Sequence, residues 1–330
     1  KGGKCLLKLI TSSSPHIRSG ETTRRVMGTV LLALLPALLA GVWFFGPRAL
    51  LLVLVTVAAC VVSEGVFLAV TRGPGSVLDG SAAVTGLLLA LTLPATTPYW
   101  MAAVGGVFAV VVVKGLGGGL GQNIFNPALA ARALLLLLWP ASLTRYAPVG
   151  AELPLFSSAA DVVTAATPLH SMVMPALPET SLADMFLGNI GGCIGEVSTL
   201  ALLVGGAILI WRKVISWRIP AAYLGTVAFL ALVFPRGQEP LSWMLYSLMG
   251  GGVMLGAIFM ATDYATSPVL PRAQLIYGIG CGVLTMLLRY NSLYPEGVTY
   301  AILLMNACAW ALDKLLPPVR FGVRKGGEAG

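Results

Sequence analysis

Seven residues carry the first chemical signal. They read Asp161-Val-Val-Thr164-Ala-Ala166-Thr167, followed by Pro168. A carboxylate and two hydroxyls recur every third position among small neighbours, which describes a turn or cap. The same small neighbours leave the Thr167 hydroxyl open to a modifying enzyme. A second signal is the glycine-rich run Gly188-Asn-Ile-Gly191-Gly192-Cys193-Ile-Gly195-Glu196, just ahead of an apolar stretch. Free N–H groups there would bind an anion or a polar ligand edge, and small residues would equally allow close helix packing. The third signal is charge inside apolar runs. Glu64, Glu196 and Asp263 are candidates for ion coupling, since charge is costly in a membrane. Glu196 and Asp263 sit near segment ends, where water can solvate them. Arg132 either pairs with an acid or snorkels to the surface. Glycine-rich 115–121 lacks the Gly-Lys-Ser/Thr ending of a nucleotide loop.

These residues are embedded in a strongly apolar chain. Of 330 residues 57% are hydrophobic and 10% charged, against about 25% charged in soluble domains. Mean hydropathy is +0.87. That composition excludes an ordinary soluble enzyme and a disordered chain. The net charge of +8 sits beside apolar runs, so it reads as topology, with no nucleic-acid partner. The five cysteines form no C-x-x-C pair, and with two histidines no metal site is expected. No cleavable leader is expected ahead of the first apolar run. The tryptophans, Trp43, Trp100, Trp139, Trp211, Trp217, Trp243 and Trp310, fall near segment ends and read as an interfacial belt.

The expected fold is an all-α polytopic membrane protein with about ten transmembrane helices. Apolar runs lie at 26–45, 49–71, 82–93, 98–114, 127–140, 193–211, 219–235, 242–260, 273–289 and 297–313. The third and fifth are short for a full crossing and read as broken or tilted. With the N-terminus inside, all but four basic residues (Arg48, Arg145, Arg236, Arg289) fall on the cytoplasmic side. The organisation is then a cytoplasmic segment 1–25, a first membrane half 26–140, an extracytoplasmic loop 141–192, a second half 193–313 and a cytoplasmic tail 314–330. Five crossings per half turn the halves opposite ways, the layout of two inverted five-helix repeats.

The motifs together resemble a known family. Asp161 to Thr167 is similar to the Asp-x-x-Ser/Thr-Gly-Ala-Thr signature of the RnfD/NqrB membrane subunits, with Ala165 in place of glycine. Gly188–Ser198, Gly118–Ala128, Thr85–Leu91, Ala261–Pro268 and Ser12–His16 are also similar to family segments. The length, without a long N-terminal extension, is closer to RnfD. The resemblance implies a bacterial or archaeal cell-membrane subunit of the Rnf ferredoxin:NAD oxidoreductase, coupling electron transfer to Na⁺ or H⁺ movement. It implies FMN joined by a phosphoester to Thr167, placed there by a flavin transferase, with Asp161, Thr164 and Ala166 as the attachment motif. On their own chemistry, Gly191, Gly192 and Glu196 are candidates for the flavin's surroundings, and Glu64 and Asp263 for ion coupling. A second, noncovalent flavin such as riboflavin is expected by analogy with NqrB. The implied partners are the A-, B-, C-, E- and G-type Rnf subunits. The rival reading is a flavin-free channel or secondary transporter of inverted-repeat design.

Overall fold

A computed structural model describes residues 22–71, 77–119, 121–151, 153–156, 167, 169, 172, 177–178, 180–237, 239–291 and 296–317. Of the attachment motif Thr167 alone is among them. Asp161, Thr164 and Ala166 lie outside the described residues, as do the terminal segments 1–21 and 318–330.

The helices are α1 (Thr23–Phe45), α2 (Pro47–Thr71), α3 (Ser81–Leu91), α4 (Tyr99–Val107), α5 (Pro127–Leu138), α6 (Pro140–Leu143), α7 (Leu182–Leu187), α8 (Thr199–Trp211), α9 (Arg218–Val233), α10 (Pro240–Met249), α11 (Val253–Leu255), α12 (Pro271–Asn291) and α13 (Val298–Leu315). Wider turns continue α4 over Phe108–Gly115 and α11 over Gly256–Met260. Their i+5 bonds run from Leu116 N to Val111 O (3.1 Å) and from Ala261 N to Gly256 O (2.7 Å). No strand forms among the described residues, so the fold is all-α.

Local sequence explains the boundaries. Gly46, at φ +73°, ends α1 in a conformation that favours glycine, and Pro47 opens α2 at once. Asn126 caps α5: its Oδ1 accepts from Ala128 N (3.1 Å) and Leu129 N (3.3 Å), ahead of Pro127 at the first helical position. The Asn126 amide also donates to Met260 O (3.2 Å), tying the first half to the second. Asn126→Ala should therefore lower stability by about 1–2 kcal/mol from the cap alone. Thermal unfolding of the purified chain in detergent checks this, and an unchanged midpoint would refute it. On the short α7, the Ser181 hydroxyl and the Asn189 amide hold the exposed Asp184 carboxyl below its usual range.

Four helices, α1, α2, α12 and α13, are long and apolar enough to cross a membrane. The pair α10 and α11, with its extension to Met260, is bent by 62° at Gly250–Gly252, the geometry of a broken span or a re-entrant loop. The remaining apolar helices are shorter, and several continue as extended backbone. The sixth run illustrates this and corrects its expected start at 193. Ser198 caps α8 by accepting from Ala201 N (3.3 Å), so the helix begins at Thr199. The preceding residues pair with the chain beyond α3: Ile194 N donates to Leu93 O (3.0 Å) and Gly195 N to Leu91 O (2.8 Å). Each backbone thus satisfies groups the other's helix leaves free, as an apolar setting requires.

Packing relates the halves. α2 packs on α3 and α4 as α9 packs on α10 and α12. α5 packs on the extension of α4 as α13 packs on α12. α1 meets α8, and α5 meets α13. Hydrogen bonds sort the connections into two ends. At one end Gly150 N reaches Phe44 O, Arg48 reaches Ala95 O (2.9 Å), and the Thr96 hydroxyl reaches Arg145 O (2.6 Å). At the other, Tyr264 reaches Val214 O, and Asp313 accepts from Val269 N (3.0 Å) and Leu270 N (3.1 Å). Successive segments run between these ends, so five segments per half turn the two halves opposite ways. Apolar side chains cover the outside, with Trp43, Trp211 and Trp310 exposed near helix ends. Trp243 leaves the expected belt: it is buried and donates to the Tyr290 hydroxyl (3.2 Å). Burial of an indole N–H is permitted there because it has found an acceptor.

Candidate functional site

Thr167 stands half-buried at the edge of a cleft at the first end. Leu169, Ile190, Gly191, Gly192, Glu196, Val197, Gly251 and Glu296 complete its lining. Three elements position them. The extended 188–197 segment brings Gly191, Gly192 and Glu196. The break between α10 and α11 brings Gly251, whose φ of +64° is the left-handed conformation a sharp bend needs. The turn before α13 brings Glu296.

The cleft floor is an ionic network. Arg132 of α5 forms an ion pair with Glu296, donates to Thr92 O (2.6 Å), and lies 3.6 Å from Cys193 Sγ. The Tyr146 hydroxyl donates to the other Glu296 oxygen (2.6 Å). Glu196 Oε1 accepts from Cys193 N (3.2 Å), while buried Glu196 Oε2 has no hydrogen-bond partner among the described residues. On α12, Arg289 donates to Ser247 O (2.6 Å) and Gly250 O (2.7 Å), satisfying carbonyls freed by the helix break. Cys193, Glu196 and Glu296 offer ligand atoms within 4.8 Å of one another. Arg132 already engages two of the three, so the cluster is organised as a hydrogen-bonded ion network.

Arg132 therefore pairs with an acid and does not snorkel. It is 7% exposed and faces the first end, because Glu296 and Thr92 O offer it partners there. Glu296 was not singled out from sequence. The one available signal was an acid directly ahead of the last apolar run, and its partner Arg132 is 164 residues away.

The two expected ion-coupling acids lie at the opposite end, apart from Thr167. Glu64 of α2 pairs with Lys114, which also donates to the Ser81 hydroxyl. The Lys114 side chain comes from the wide-turn extension of α4 and is buried with Glu64. Asp263 accepts from the Thr266 hydroxyl (3.1 Å), and burial pushes its carboxyl above the usual range. Ser81, Lys114, Asn123, Asn126 and Asp263 share a cavity of about 80 Å³ at that end, whereas Glu64 stays behind Lys114.

At the first end, the cleft beside Thr167 has a volume of about 10 Å³, so a ring carried on Thr167 would enter it only after side chains move. Thr167 lines the cleft, Gly191, Gly192 and Gly251 bring backbone without side chains, and buried Glu196 Oε2 has no hydrogen-bond partner among the described residues. Asp161, Thr164 and Ala166 cannot be compared with this geometry, since they lie outside the described residues.

An all-α multi-pass membrane protein, whose first and second halves meet over a buried ion network, is the class these features define. The chain belongs to the NQR2, RnfD, RnfE family, whose profile matches residues 10–322. It is 48% identical to the D-type subunit of the Na⁺-translocating ferredoxin:NAD⁺ oxidoreductase complex of Acetobacterium woodii, over 97% of each chain. It is 42% identical to the D-type subunit of the proton-translocating ferredoxin:NAD⁺ oxidoreductase complex of Clostridium ljungdahlii, over 95% of this chain and 96% of that one. A third relative, the D-type subunit of the ion-translocating oxidoreductase complex of Marinobacter nauticus, is 38% identical over 97% of each.

Proposed function

We propose that this chain is the D-type membrane subunit of an Rnf complex. It carries FMN on Thr167 and takes part in coupling ferredoxin/NAD electron transfer to Na⁺ or H⁺ movement. The observation that carries the reading is Thr167 at the lip of a cleft that holds an unpartnered buried carboxylate oxygen. The relatives' names supply the class of assembly, and by the same reading the neighbours are its A-, B-, C-, E- and G-type subunits. The basic residues of the second end, including Arg212, Lys213, Arg218, Arg272 and Lys314, make that end cytoplasmic. The Thr167 end then faces outward, where a flavin transferase would act.

FMN would supply stepwise electron transfer, and a phosphoester to Thr167 would replace a phosphate-binding loop. The chain's own residues do the rest. Gly191, Gly192 and Gly251 present backbone to the group, which would enter the cleft of about 10 Å³ as the side chains around it move. Glu196 offers an acceptor to its polar edge. Arg132, Glu296 and Arg289 fix the floor beneath it. A second, noncovalent flavin such as riboflavin belongs with the cytoplasmic end. The polar side chains of the cavity there suit a ring edge, but about 80 Å³ holds a flavin only after side chains move.

The test is in-gel flavin fluorescence of the denatured chain, co-expressed with a flavin transferase shown to be active on another substrate. The parent band should fluoresce and Thr167→Val should be dark, with equal protein in both lanes. A dark parent band removes the covalent flavin and favours a flavin-free transporter.

A further inference from the structure

We propose that Glu196 is a redox-linked proton acceptor. When the group on Thr167 takes an electron, Glu196 takes a proton from the water at the same end. This rests on the covalent-flavin reading above and assigns the compensating charge to one atom, Glu196 Oε2.

The argument starts from the carboxylates. Glu296 has a donor on each oxygen, Arg132 on one and the Tyr146 hydroxyl on the other. Glu196 is 6% exposed, and only its Oε1 has a partner, Cys193 N at 3.2 Å. Its Oε2 is buried, unpartnered and part of the cleft that Thr167 borders. It fronts the helix break, where a Cβ built on Gly252 would lie 3.1 Å away. A carboxylate oxygen buried without a donor is costly while it is charged.

Groups of both signs face Glu196. They are Cys193 on its own segment, Arg132 on α5, Tyr146 after α6, Arg289 on α12 and Glu296 ahead of α13. The neighbouring break between α10 and α11 contributes glycines. Two carboxylates thus stand against two guanidinium groups, both of which are committed to hydrogen bonds. An added negative charge beside this balanced set, in a low-dielectric site, must be offset nearby. Glu196 Oε2 is the buried carboxylate oxygen of this cleft on which no donor sits among the described residues. The balance is simple. One electron enters the ring from a one-electron carrier of the complex, and one proton forms an O–H bond at Glu196. Both leave on reoxidation.

The experiment is redox-difference infrared spectroscopy on the flavin-loaded chain, with loading verified by in-gel fluorescence. Reduction should produce a protonated-carboxyl C=O stretch that shifts down in D₂O, and the stretch should be absent in Glu196→Gln. The flavin midpoint potential should fall more steeply with rising pH in the parent than in Glu196→Gln. If that variant fails to accumulate, the parent grown on ¹³C-glutamate decides, because its band must shift with the label. A loaded parent with no such band overturns the proposal, as does a band that survives in Glu196→Gln or ignores the label. A potential that follows sodium concentration instead of pH also overturns it, in favour of a bound cation. An unloaded parent overturns the covalent-flavin reading itself, which separates the two failures.

Discussion

Arg132→Met should destabilise the chain by about 3–5 kcal/mol, the range for removing one partner of a buried ion pair. The substitution keeps a long apolar stem and deletes the guanidinium. Glu296 then loses its charged partner while its side chain stays only 18% exposed. Thr92 O, at the frayed end of α3, loses its donor as well. The size of the effect comes from the charge left behind, so a double variant, Arg132→Met with Glu296→Leu, should recover much of the loss. Thermal unfolding in detergent, read by loss of monodisperse protein, checks both. An unchanged midpoint in the single variant would show that the pair contributes nothing net. A double variant as unstable as the single one would show that the loss comes from packing or from Thr92 O.

That pair also shows where reading the sequence stops. Hydropathy located the ten apolar runs, and helix bounds followed where the signal was local. Gly46-Pro47 and Asn126-Pro127 mark boundaries that the backbone obeys. The bent eighth run also had a local cause in Gly250-Gly251-Gly252. Arg132 had no such local clue. Its partner comes from the other half of the chain, and a lone arginine in an apolar run reads equally well as snorkelling. Lys114 and Glu64 fail for the same reason, being 50 residues apart on different helices. Ser198 was a legible cap, but the apolar residues before it extended the apparent helix back to 193. Thr167 was singled out by motif and resemblance. Its closeness to Glu196, Gly251 and Glu296 depends on three connections meeting at one end, which no local pattern encodes.

The seam between the halves carries the second large effect. Gly41 of α1 and Gly205 of α8 lie on helices that pack against each other across the seam. A Cβ at Gly205 would stand 2.2 Å from Ala33 O, and one at Gly41 would stand 2.3 Å from Ile194 O. Both obstacles are backbone, which cannot rotate aside as a side chain can. Close backbone approach through small residues drives helix association in a membrane, where apolar burial offers little difference between protein and lipid. Gly205→Ala must therefore push α1 and α8 apart, at a cost at or above the about 1–3 kcal/mol typical of overpacking. Alanine's better helix propensity returns only about 1 kcal/mol. Gly225, on the adjacent α9, is the control, since no atom lies within 4 Å of its added Cβ. Gly225→Ala should leave the unfolding midpoint unchanged or slightly raised, while Gly205→Ala and Gly41→Ala should lower it. If Gly205→Ala unfolds with the parent, the two helices do not meet as closely as this seam requires.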